Sequence, residues 1–482
     1  MDEYVVKDKW QQLAIIALVC AISFMITFDY NSLNISLSPI AKYFNVKIGV
    51  VAWLPMIYLL IISSTLLGFG KLGDMIGYKK VFILGVGVFA AGGVLCAIAP
   101  TFNLLFLSRA LQSLGQAMYS PICIALLTTF LPSNMKGRAL GLNATFQGLG
   151  TALGSPLGGL INSNFSWRGN FLIAVPIALL IILAAMKVIP SKQAPAKDKK
   201  FDYLGAVLLF VTMVGLLFGV NQGTKMGWTS PMVAGSLIAF LIAVILFIFQ
   251  EKRVGYPLLD LGLFKNRSFT FAALASFLAL ALNIGIMFLM PFYLQLMRHL
   301  NIAQTGLILM SPSIISMCIA PFAGNISDRI GSRKLCVAGM ALVTLAFIMF
   351  AFFSPEVKIR YIVLSLLCLG AGMGLFSAPN NKLVMSQAPA DKQGVASGVY
   401  KIALNSGASI GIALFMLVLA QVVLFDVGRM NIMLTEVRQY PAIMMAGFRG
   451  AFLFGIGLGI LNVIFSFLAK DNIVLDNQTA KK

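Results

Sequence analysis

One pattern occurs twice in the sequence, first in Gly70-Lys71-Leu72-Gly73-Asp74-Met75-Ile76-Gly77-Tyr78-Lys79-Lys80 and again in Gly324-Asn325-Ile326-Ser327-Asp328-Arg329-Ile330-Gly331-Ser332-Arg333-Lys334. Each reads G-x-x-x-D-x-x-G with basic residues directly after it, and each lies between two long apolar segments. A charged loop repeated between hydrophobic segments is typical of membrane proteins built from two related halves. The sequence therefore predicts a duplicated chain that spans a membrane.

The composition of the chain excludes an ordinary soluble domain. Hydrophobic residues make up 59% of the 482 positions and charged residues only 11%, whereas soluble domains carry about 25% charged residues. Apolar segments of about 20 residues are long enough to cross a bilayer as helices. The sequence therefore predicts an all-α integral membrane protein with about 14 spans, near residues 13–38, 48–70, 80–99, 103–131, 136–162, 169–190, 203–221, 231–250, 267–297, 303–325, 334–353, 360–385, 394–425 and 441–469.

The distribution of charge sets the predicted orientation. The chain carries 36 Lys and Arg and a formal net charge of +20. Most of the basic residues fall on one side of the predicted membrane if both termini lie in the cytoplasm, which is the positive-inside rule. Basic runs such as 192–200 are then expected to contact anionic lipids rather than nucleic acid. We expect a multi-pass protein of a bacterial cytoplasmic membrane with both termini inside.

The spacing of the repeated loops predicts an insertion between two halves. Asp74 and Asp328 lie 254 residues apart, which is more than one six-span half occupies. The spans near 203–221 and 231–250 account for the excess. The predicted domains are a six-helix bundle over 1–190, a linker with two inserted helices over 191–266, and a second six-helix bundle with the C-terminal tail over 267–482.

Several other kinds of site have no support in the sequence. His299 is the only histidine, so we expect no histidine-rich metal site, and the six cysteines lie singly in predicted spans as small hydrophobes. No G-x-x-x-x-G-K-[ST] nucleotide loop is present. The expected protein is not an enzyme and uses no cofactor. Its expected partners are a small organic substrate, protons and membrane lipids, and a monomer is expected.

The charged loops and four further motifs resemble the major facilitator superfamily, and specifically its fourteen-span drug:proton antiporter family. The family motif D-x-x-x-N-x-A-L-P of span 1 is similar to Asp29-Tyr30-Asn31-Ser32-Leu33-Asn34-Ile35-Ser36-Leu37-Ser38-Pro39. Arg109-Ala110-Leu111-Gln112-Ser113-Leu114-Gly115 is similar to R-x-x-Q-G of span 4. Gly150–Gly159 is similar to the span 5 motif G-x-x-x-G-P-x-x-G-G, and Trp167–Phe171 is similar to W-R-W-x-F. The resemblance covers nearly the whole chain.

Small departures from the family pattern accompany the resemblance. Tyr78 stands where a basic residue is usual, Gly115 is displaced towards the C-terminus, and Pro156 is shifted by one position. The resemblance implies the major facilitator fold, in which two six-helix bundles rock around a central cavity. It implies proton-driven export of drugs. It also implies a gating loop (Gly70, Asp74, Gly77, Lys79, Asp328, Arg329 and Arg333) and an antiporter helix that seals the interface between the halves (Gly150, Gly154, Pro156, Gly158 and Gly159).

Other roles for these two motifs remain open. Asp74 and Asp328 can pair with basic residues or with the positive end of a neighbouring helix, or they can be simple topological charges. The glycines of the antiporter helix suit close helix packing without any sealing role.

Asp29 is the only acidic residue well inside a predicted span. A carboxylate in hydrocarbon is costly, so it accepts a proton or finds a partner. At a rise of 1.5 Å per residue, Asp29 lies about 24 Å from the cytoplasmic edge of span 1, and Arg109 lies about 10 Å below the outer face in span 4. The two residues can therefore lie at nearly the same level. We predict that Asp29 alternates between protonated and ionised forms beside Arg109; a static ion pair or a polar contact between helices is the alternative.

Six further residues are predicted to line the substrate cavity. Arg449 is a cation inside the last span without an acidic residue in that span, and it can contact substrate or helix-end carbonyls. Lys401 can extend to the interface. No acidic residue lies in the predicted spans 9 to 14, which disfavours dicationic substrates. The predicted cavity residues are Phe28, Tyr30, Asn34, Gln112, Asn283 and Arg449.

The favoured function is proton-coupled export of amphipathic organic compounds by alternating access. The first alternative is a dedicated exporter of a lipid, a fatty acid or an organic anion on the same fold, which Arg449 and the single acid suggest. The second is a sensor or scaffold that retains the fold without transport, which the loop motif and the pairing of Asp29 with Arg109 disfavour.

Overall fold

The computed structural model describes residues 6, 8–190, 202–227, 229–254, 261–387, 393–427 and 441–470, and this part of the chain is helices joined by short connections. A 3₁₀ turn at Leu261–Lys265 precedes the helix that begins at Arg267, and a π-helical turn at Tyr293–Met297 extends that helix. The α-helices are α1 Lys9–Tyr43, α2 Ile48–Val51, α3 Trp53–Ile76, α4 Tyr78–Ile98, α5 Phe102–Thr129, α6 Ser133–Leu172, α7 Ala174–Val188, α8 Tyr203–Met226, α9 Pro231–Arg253, α10 Arg267–Phe292, α11 Ile302–Leu309, α12 Ser311–Ile330, α13 Ser332–Ala351, α14 Ile359–Ser386, α15 Gln393–Val427 and α16 Pro441–Leu468.

The described helices confirm the predicted fold class. They contain 13 segments that are long and apolar enough to cross a membrane. One of these segments, Gly141–Val188, has 48 residues, which is about twice the length that one crossing needs. Ser166 interrupts it with φ 69° and ψ 166°. The segment is therefore long enough for two crossings, which brings the described helices to the fourteen crossings that hydropathy predicts.

The two G-x-x-x-D-x-x-G stretches make the same tight turn. α3 ends and α4 begins at Gly77 (φ 103°), and α12 and α13 meet in the same way at Gly331 (φ 90°). L side chains rarely adopt such positive φ angles, which explains a glycine at both positions. The Gly77 amide donates to the Gly73 carbonyl over 3.0 Å, and the Gly331 amide donates to the Ser327 carbonyl over 3.1 Å. The charged stretches are therefore mostly the last helical turns of α3 and α12 rather than open loops.

Glycines bring α6 against α1 and α15 against α10 in the same way. A Cβ atom placed on Gly154 would lie 2.7 Å from the Cβ of Asn31 in α1. Gly411, which follows Gly154 by 257 residues, meets the backbone of Ala281 in α10. Small residues let helix backbones approach closely where no hydrophobic force acts between spans. One packing arrangement is thus used twice.

The inserted pair α8 and α9 packs on the side of the bundle. A Cβ atom on Gly215 of α8 would lie 2.8 Å from the Ser236 carbonyl oxygen of α9. α8 contacts α3 through Phe218 and Trp53, whose ring centroids lie 6.3 Å apart. It also contacts α15, where the Ser406 hydroxyl donates to the sulfur of Met213 over 3.6 Å. The pair therefore contacts helices from both sides of the insertion, while the domain boundaries near residues 190 and 266 stay a prediction.

Candidate functional site

A cavity of about 1110 Å³ lies at the centre of the helices. Residues of α1, α3, α5 and α6 form one wall, and residues of α10, α11, α12, α14 and α15 form the other. Its lining is mostly apolar, with a small number of amide and hydroxyl side chains. Concave, largely apolar spaces with a few convergent polar groups are the usual form of sites for organic ligands. None of the described residues that line it belongs to α8 or α9.

The cavity opens towards the side of the membrane on which α1 begins. Its lining extends to Arg138 and Gly141, near the start of α6, which lies on that same side. Towards the other side, α6 closes against α11. A Cβ atom on Gly306 would lie 2.5 Å from the Ser155 carbonyl oxygen, and one on Gly159 would lie 2.9 Å from the Ile302 carbonyl oxygen. The described chain is therefore open at one end and sealed at the other.

Asp29 and Arg109 form a buried ion pair beside this cavity. The Arg109 Nη1 atom lies 2.8 Å from Asp29 Oδ2, and the two side chains are 0% and 2% exposed, respectively. Gln112 joins them, because its Nε2 donates to Asp29 Oδ1 over 3.2 Å while its Oε1 accepts from Arg109 Nη1 over 2.6 Å. A Cβ atom on Gly92 of α4 would lie 2.6 Å from the Gln112 backbone nitrogen. Close packing of α4 thus holds α5 and its two polar side chains in place.

Tyr58 of α3 separates the ion pair from the cavity. The Arg109 guanidinium carbon lies 3.8 Å from the centroid of the Tyr58 ring, within the range of a cation–π contact. The Tyr58 hydroxyl donates to Gln116 Oε1. Both Tyr58 and Gln116 line the cavity, whereas Asp29 and Arg109 are not among its lining residues. One aromatic layer therefore stands between the charges and the open space.

The second half carries no such pair at the matching positions. The shared glycine contacts relate α1 to α10 by 253 residues and α5 to α14 by 257 residues. Asp29 then corresponds to Leu282, and Arg109 corresponds to Leu366. Both leucines are 0% exposed in the hydrophobic core. The fold is duplicated, but its buried charge is not.

Three of the six predicted cavity residues line the cavity, namely Tyr30, Asn34 and Asn283. Phe28 instead stacks on Phe24 with ring centroids 5.8 Å apart, and it is 5% exposed. Gln112 lies behind Tyr58 with the ion pair. Arg449 is exposed on α16 and is not among the described residues that line this cavity, so its contact with substrate stays a prediction. Depth along a helix does not determine which way a side chain points, which accounts for Phe28 and Arg449.

The predicted gating residues lie on the side where α1 begins. Lys79 Nζ donates to the Met186 carbonyl oxygen over 2.6 Å and so links α4 to α7. The Arg333 guanidinium lies 4.2 Å from the Phe467 ring centroid and links α13 to α16. A Cβ atom on Gly70 would lie 3.4 Å from the Pro121 Cβ of α5. The side chains of Asp74, Asp328 and Arg329 lie outside the described residues.

The glycines of the predicted antiporter helix divide between two partners. Gly150 and Gly158 meet Thr27 and Ser32 of α1, as Gly154 meets Asn31. Gly159 instead meets Ile302 of α11, in the contact that closes the cavity. Pro156 lies inside α6 at the same level, where a Cβ on Gly306 would lie 3.1 Å from the Pro156 Cα. Part of the motif packs α6 on α1, and its end forms the closed contact with α11.

Sequence reasoning overlooked Tyr58 and Gln116. Gln116 follows Gln112 by four residues on α5, and residues at that spacing lie on one face of a helix. That spacing was a usable signal. Tyr58 carried no comparable signal, because an aromatic residue in a span most often contacts lipid or another helix.

The match to a known family covers both halves of the chain. Residues 19–202 and 201–412 each match the family described as the Major Facilitator Superfamily. The riboflavin transporter RibZ of Clostridioides difficile is 28% identical over 415 residues, which cover 86% of this chain and 89% of that protein. The multidrug efflux pump LfrA of Mycolicibacterium smegmatis is 30% identical over 405 residues, which cover 84% and 79%.

A solved structure has the same arrangement of helices. It is that of a bacterial homologue of the human lysosomal transporter Spinster, in an inward-facing and unoccupied conformation. It superposes with a TM-score of 0.67 at 14% sequence identity and covers 96% of this chain and 97% of that chain. At that identity the likeness shows the fold alone. Because the family match spans both halves and the fold agrees with it, the chain belongs to the major facilitator superfamily and is a multi-pass membrane transporter.

Proposed function

We propose that the protein is a proton-coupled antiporter that exports amphipathic organic compounds across a bacterial cytoplasmic membrane by alternating access. In this proposal it acts as a monomer, both termini lie in the cytoplasm, and the open end of the cavity faces the cytoplasm. The two halves rock about the central cavity. The described conformation is then the one that takes up substrate from inside.

The single observation that carries the proposal is the position of the Asp29–Arg109 pair. A carboxylate that is 2% exposed among spans can exchange a proton only when its surroundings change. Tyr58 contacts Arg109 on one face and the cavity on the other. We propose that movement of the Tyr58 side chain connects the ion pair with cavity water. A buried acid next to the substrate cavity supports coupling between a proton and a substrate.

Protonation of Asp29 would leave Arg109 with other partners. Gln112 Oε1 accepts from Arg109 over 2.6 Å, and the Tyr58 ring lies against the guanidinium. Both contacts persist when the carboxylate becomes neutral. The cation then loses its only described charged neighbour, and a buried charge without a counter-ion is costly. We propose that this cost favours the conformation in which the proton is released.

The cargo is proposed from the cavity and from the relatives. No carboxylate is found among the described residues that line the cavity, which supports monocationic, zwitterionic or neutral cargo over dications. Relatives named for riboflavin transport and for multidrug efflux are similar to this chain over most of its length. Export of a lipid, a fatty acid or an organic anion remains the alternative, although Arg449 is exposed on α16 and is not among the described lining residues of the cavity.

Transport by the purified protein in proteoliposomes under an imposed pH gradient tests the proposal. We expect gradient-driven transport of at least one amphipathic compound from a panel of cationic, zwitterionic and anionic dyes. Asp29→Asn removes the titratable group but keeps an amide of the same shape, so we expect transport to fall to the level of protein-free vesicles. The protein should stay folded, with a lower unfolding temperature because Arg109 loses its counter-ion.

Asp202→Asn is the matched control for this experiment. Asp202 is 6% exposed, but it caps the start of α8, where it accepts from the Gly205 amide. Asparagine serves as well as aspartate at such a helix start. We expect this variant to transport normally. Undiminished gradient-driven transport by Asp29→Asn would reject the proton-coupling role.

A further inference from the structure

The duplication gives the described chain two equivalent seams between its halves. The turns at Gly77 and Gly331 relate α3 to α12, and the glycine contacts of Gly154 and Gly411 relate α6 to α15. One seam lies between α3 and α15, which pack against each other, and its counterpart lies between α12 and α6. All four helices supply residues to the lining of the cavity. At each seam, these helices alone separate the cavity from lipid unless another element covers them.

The inserted helix α8 bridges the α3–α15 seam from outside. Phe218 of α8 lies against Trp53 of α3, with ring centroids 6.3 Å apart. Met213 of α8 accepts from the Ser406 hydroxyl of α15 over 3.6 Å. The two contacts involve both helices that border the seam, and no described residue of α8 lines the cavity. On this side, therefore, at least one further helix lies between the cavity and the lipid.

The same cover extends towards the open end of the cavity. Leu209, one turn before Met213 on α8, shares a buried apolar cluster with Val399 and Ile402, which lie near the start of α15. The other inserted helix, α9, packs on α8 and exposes apolar side chains, among them Ile245. Exposed apolar side chains on a spanning helix are suited to contact with lipid. The inserted pair thus places its own lipid-facing surface over this seam.

The α6–α12 seam has no such cover in the described part of the chain, where neither α8 nor α9 makes an extended contact with α6 or α12. Thr145 of α6 lines the cavity, whereas Phe146 next to it does not and is 38% exposed. In the same way, Pro321 of α12 lines the cavity and its neighbour Phe322 is 68% exposed. Each of these helices therefore has the cavity on one face and an exposed apolar ring on another.

The contact between α6 and α12 weakens towards the open end of the cavity. A Cβ atom on Gly148 of α6 would lie 3.4 Å from the Cγ of Met317 in α12, which is ordinary contact. Gly141 lies seven residues closer to the start of α6, about 10 Å nearer the open end. A Cβ atom there would meet nothing within 4 Å. The inner part of this seam is therefore both uncovered and loosely packed.

We propose that the inserted pair closes the α3–α15 seam to lipid, and that amphipathic cargo dissolved in the bilayer enters the cavity sideways between α6 and α12. Amphipathic compounds concentrate in a bilayer because their apolar parts leave water. The inference rests on the proposed function. It adds the source of the cargo, which is the lipid phase, and a role for α8 and α9.

Thiol labelling of the full-length protein in vesicles, without any gradient, tests the route of entry. Gln147 of α6 and Leu404 of α15 line the cavity at matching positions, 257 residues apart. Gln147→Cys and Leu404→Cys are made separately in a Cys318→Ser background, because Cys318 is exposed. Each thiol reacts with N-hexadecylmaleimide, which stays in the bilayer, and with a sulfonated maleimide, which reaches the cavity from water. We expect the ratio of the first rate to the second to be severalfold higher for Gln147→Cys.

Variants of the inserted pair test its covering role. Met213→Ala combined with Phe218→Ala removes the contacts of α8 with α15 and α3. We expect the rate ratio of the Leu404→Cys thiol to rise in this protein towards that of the Gln147→Cys thiol. Phe249→Ala is the matched control, because Phe249 lies on α9 and is 57% exposed. The control should leave both ratios unchanged.

Equal rate ratios at the two thiols would overturn sideways entry, since both reagents would then reach one cavity by one route. An unchanged Leu404→Cys ratio after the α8 substitutions would overturn the covering role. The first comparison leaves α8 intact, so loss of packing there does not affect it. Equal ratios in a protein with gradient-driven transport would reject only this inference. A higher ratio for Gln147→Cys without any gradient-driven transport would reject only the proposed function.

Discussion

Arg109 is a fully buried cation in α5, and three neighbours explain why the fold accommodates it. Asp29 supplies the counter-charge, Gln112 accepts from the same nitrogen, and the Tyr58 ring covers one face of the guanidinium. Removing charges from water is costly, so such a group persists only where its partners are fixed in place. The pairing with Asp29 could be predicted from depth along two antiparallel helices. The contact with Tyr58 could not, because it depends on the rotation of α3 about its own axis.

Variants of Tyr58 test whether its ring isolates the ion pair. Tyr58→Leu removes the cation–π contact, which contributes about 2 kcal/mol when desolvated, and opens the layer between Arg109 and the cavity. We expect protons to leak through Tyr58→Leu without substrate, measured with a pH-sensitive dye trapped in proteoliposomes. Tyr58→Phe keeps the ring and loses only the hydroxyl, so it should leak no more than the unmodified protein. If Tyr58→Leu leaked no more protons than the unmodified protein, the ring would not be what keeps protons from the ion pair.

Along the helix α6, one glycine motif performs two packing tasks. Gly150, Gly154 and Gly158 recur every four residues and so form one stripe, which packs on α1. Gly159 lies outside that stripe and meets α11. The sequence could predict close packing from the spacing alone. It could not name the partners, because two helices from different halves approach α6 from different directions.

Gly154→Ala tests the contact between α6 and α1. The new Cβ atom would lie 2.7 Å from the Asn31 Cβ and 3.0 Å from the Phe28 carbonyl oxygen, so one helix must move. Overpacking of this kind costs about 1–3 kcal/mol, and we expect a lower unfolding temperature in detergent. Gly141→Ala is the control on the same helix, since its Cβ atom would meet nothing within 4 Å. Equal unfolding temperatures for the two variants would contradict the close packing.

Across the whole molecule, a duplicated scaffold carries functional groups that are not duplicated. The turns at Gly77 and Gly331 and the glycine contacts recur in both halves. The ion pair does not recur, because the positions that match it in the second half are occupied by Leu282 and Leu366. The number of spans and the duplication could be predicted from hydropathy and the repeated loop. Which end of the cavity is open could not be predicted, since in the proposed cycle one sequence supports both the inward-open and the outward-open arrangement.

A cysteine at the open end of the cavity tests the orientation and the state together. Gly141→Cys, placed in a Cys318→Ser background because Cys318 is exposed, puts a thiol in open space on the cavity wall. If the side on which α1 begins is cytoplasmic, a membrane-impermeant maleimide should label this thiol rapidly in inside-out vesicles and slowly in right-side-out vesicles. An outward-directed substrate gradient should slow the labelling, because the open end then closes for part of the cycle. Preferential labelling in right-side-out vesicles would reverse the proposed orientation and, with it, the direction of export.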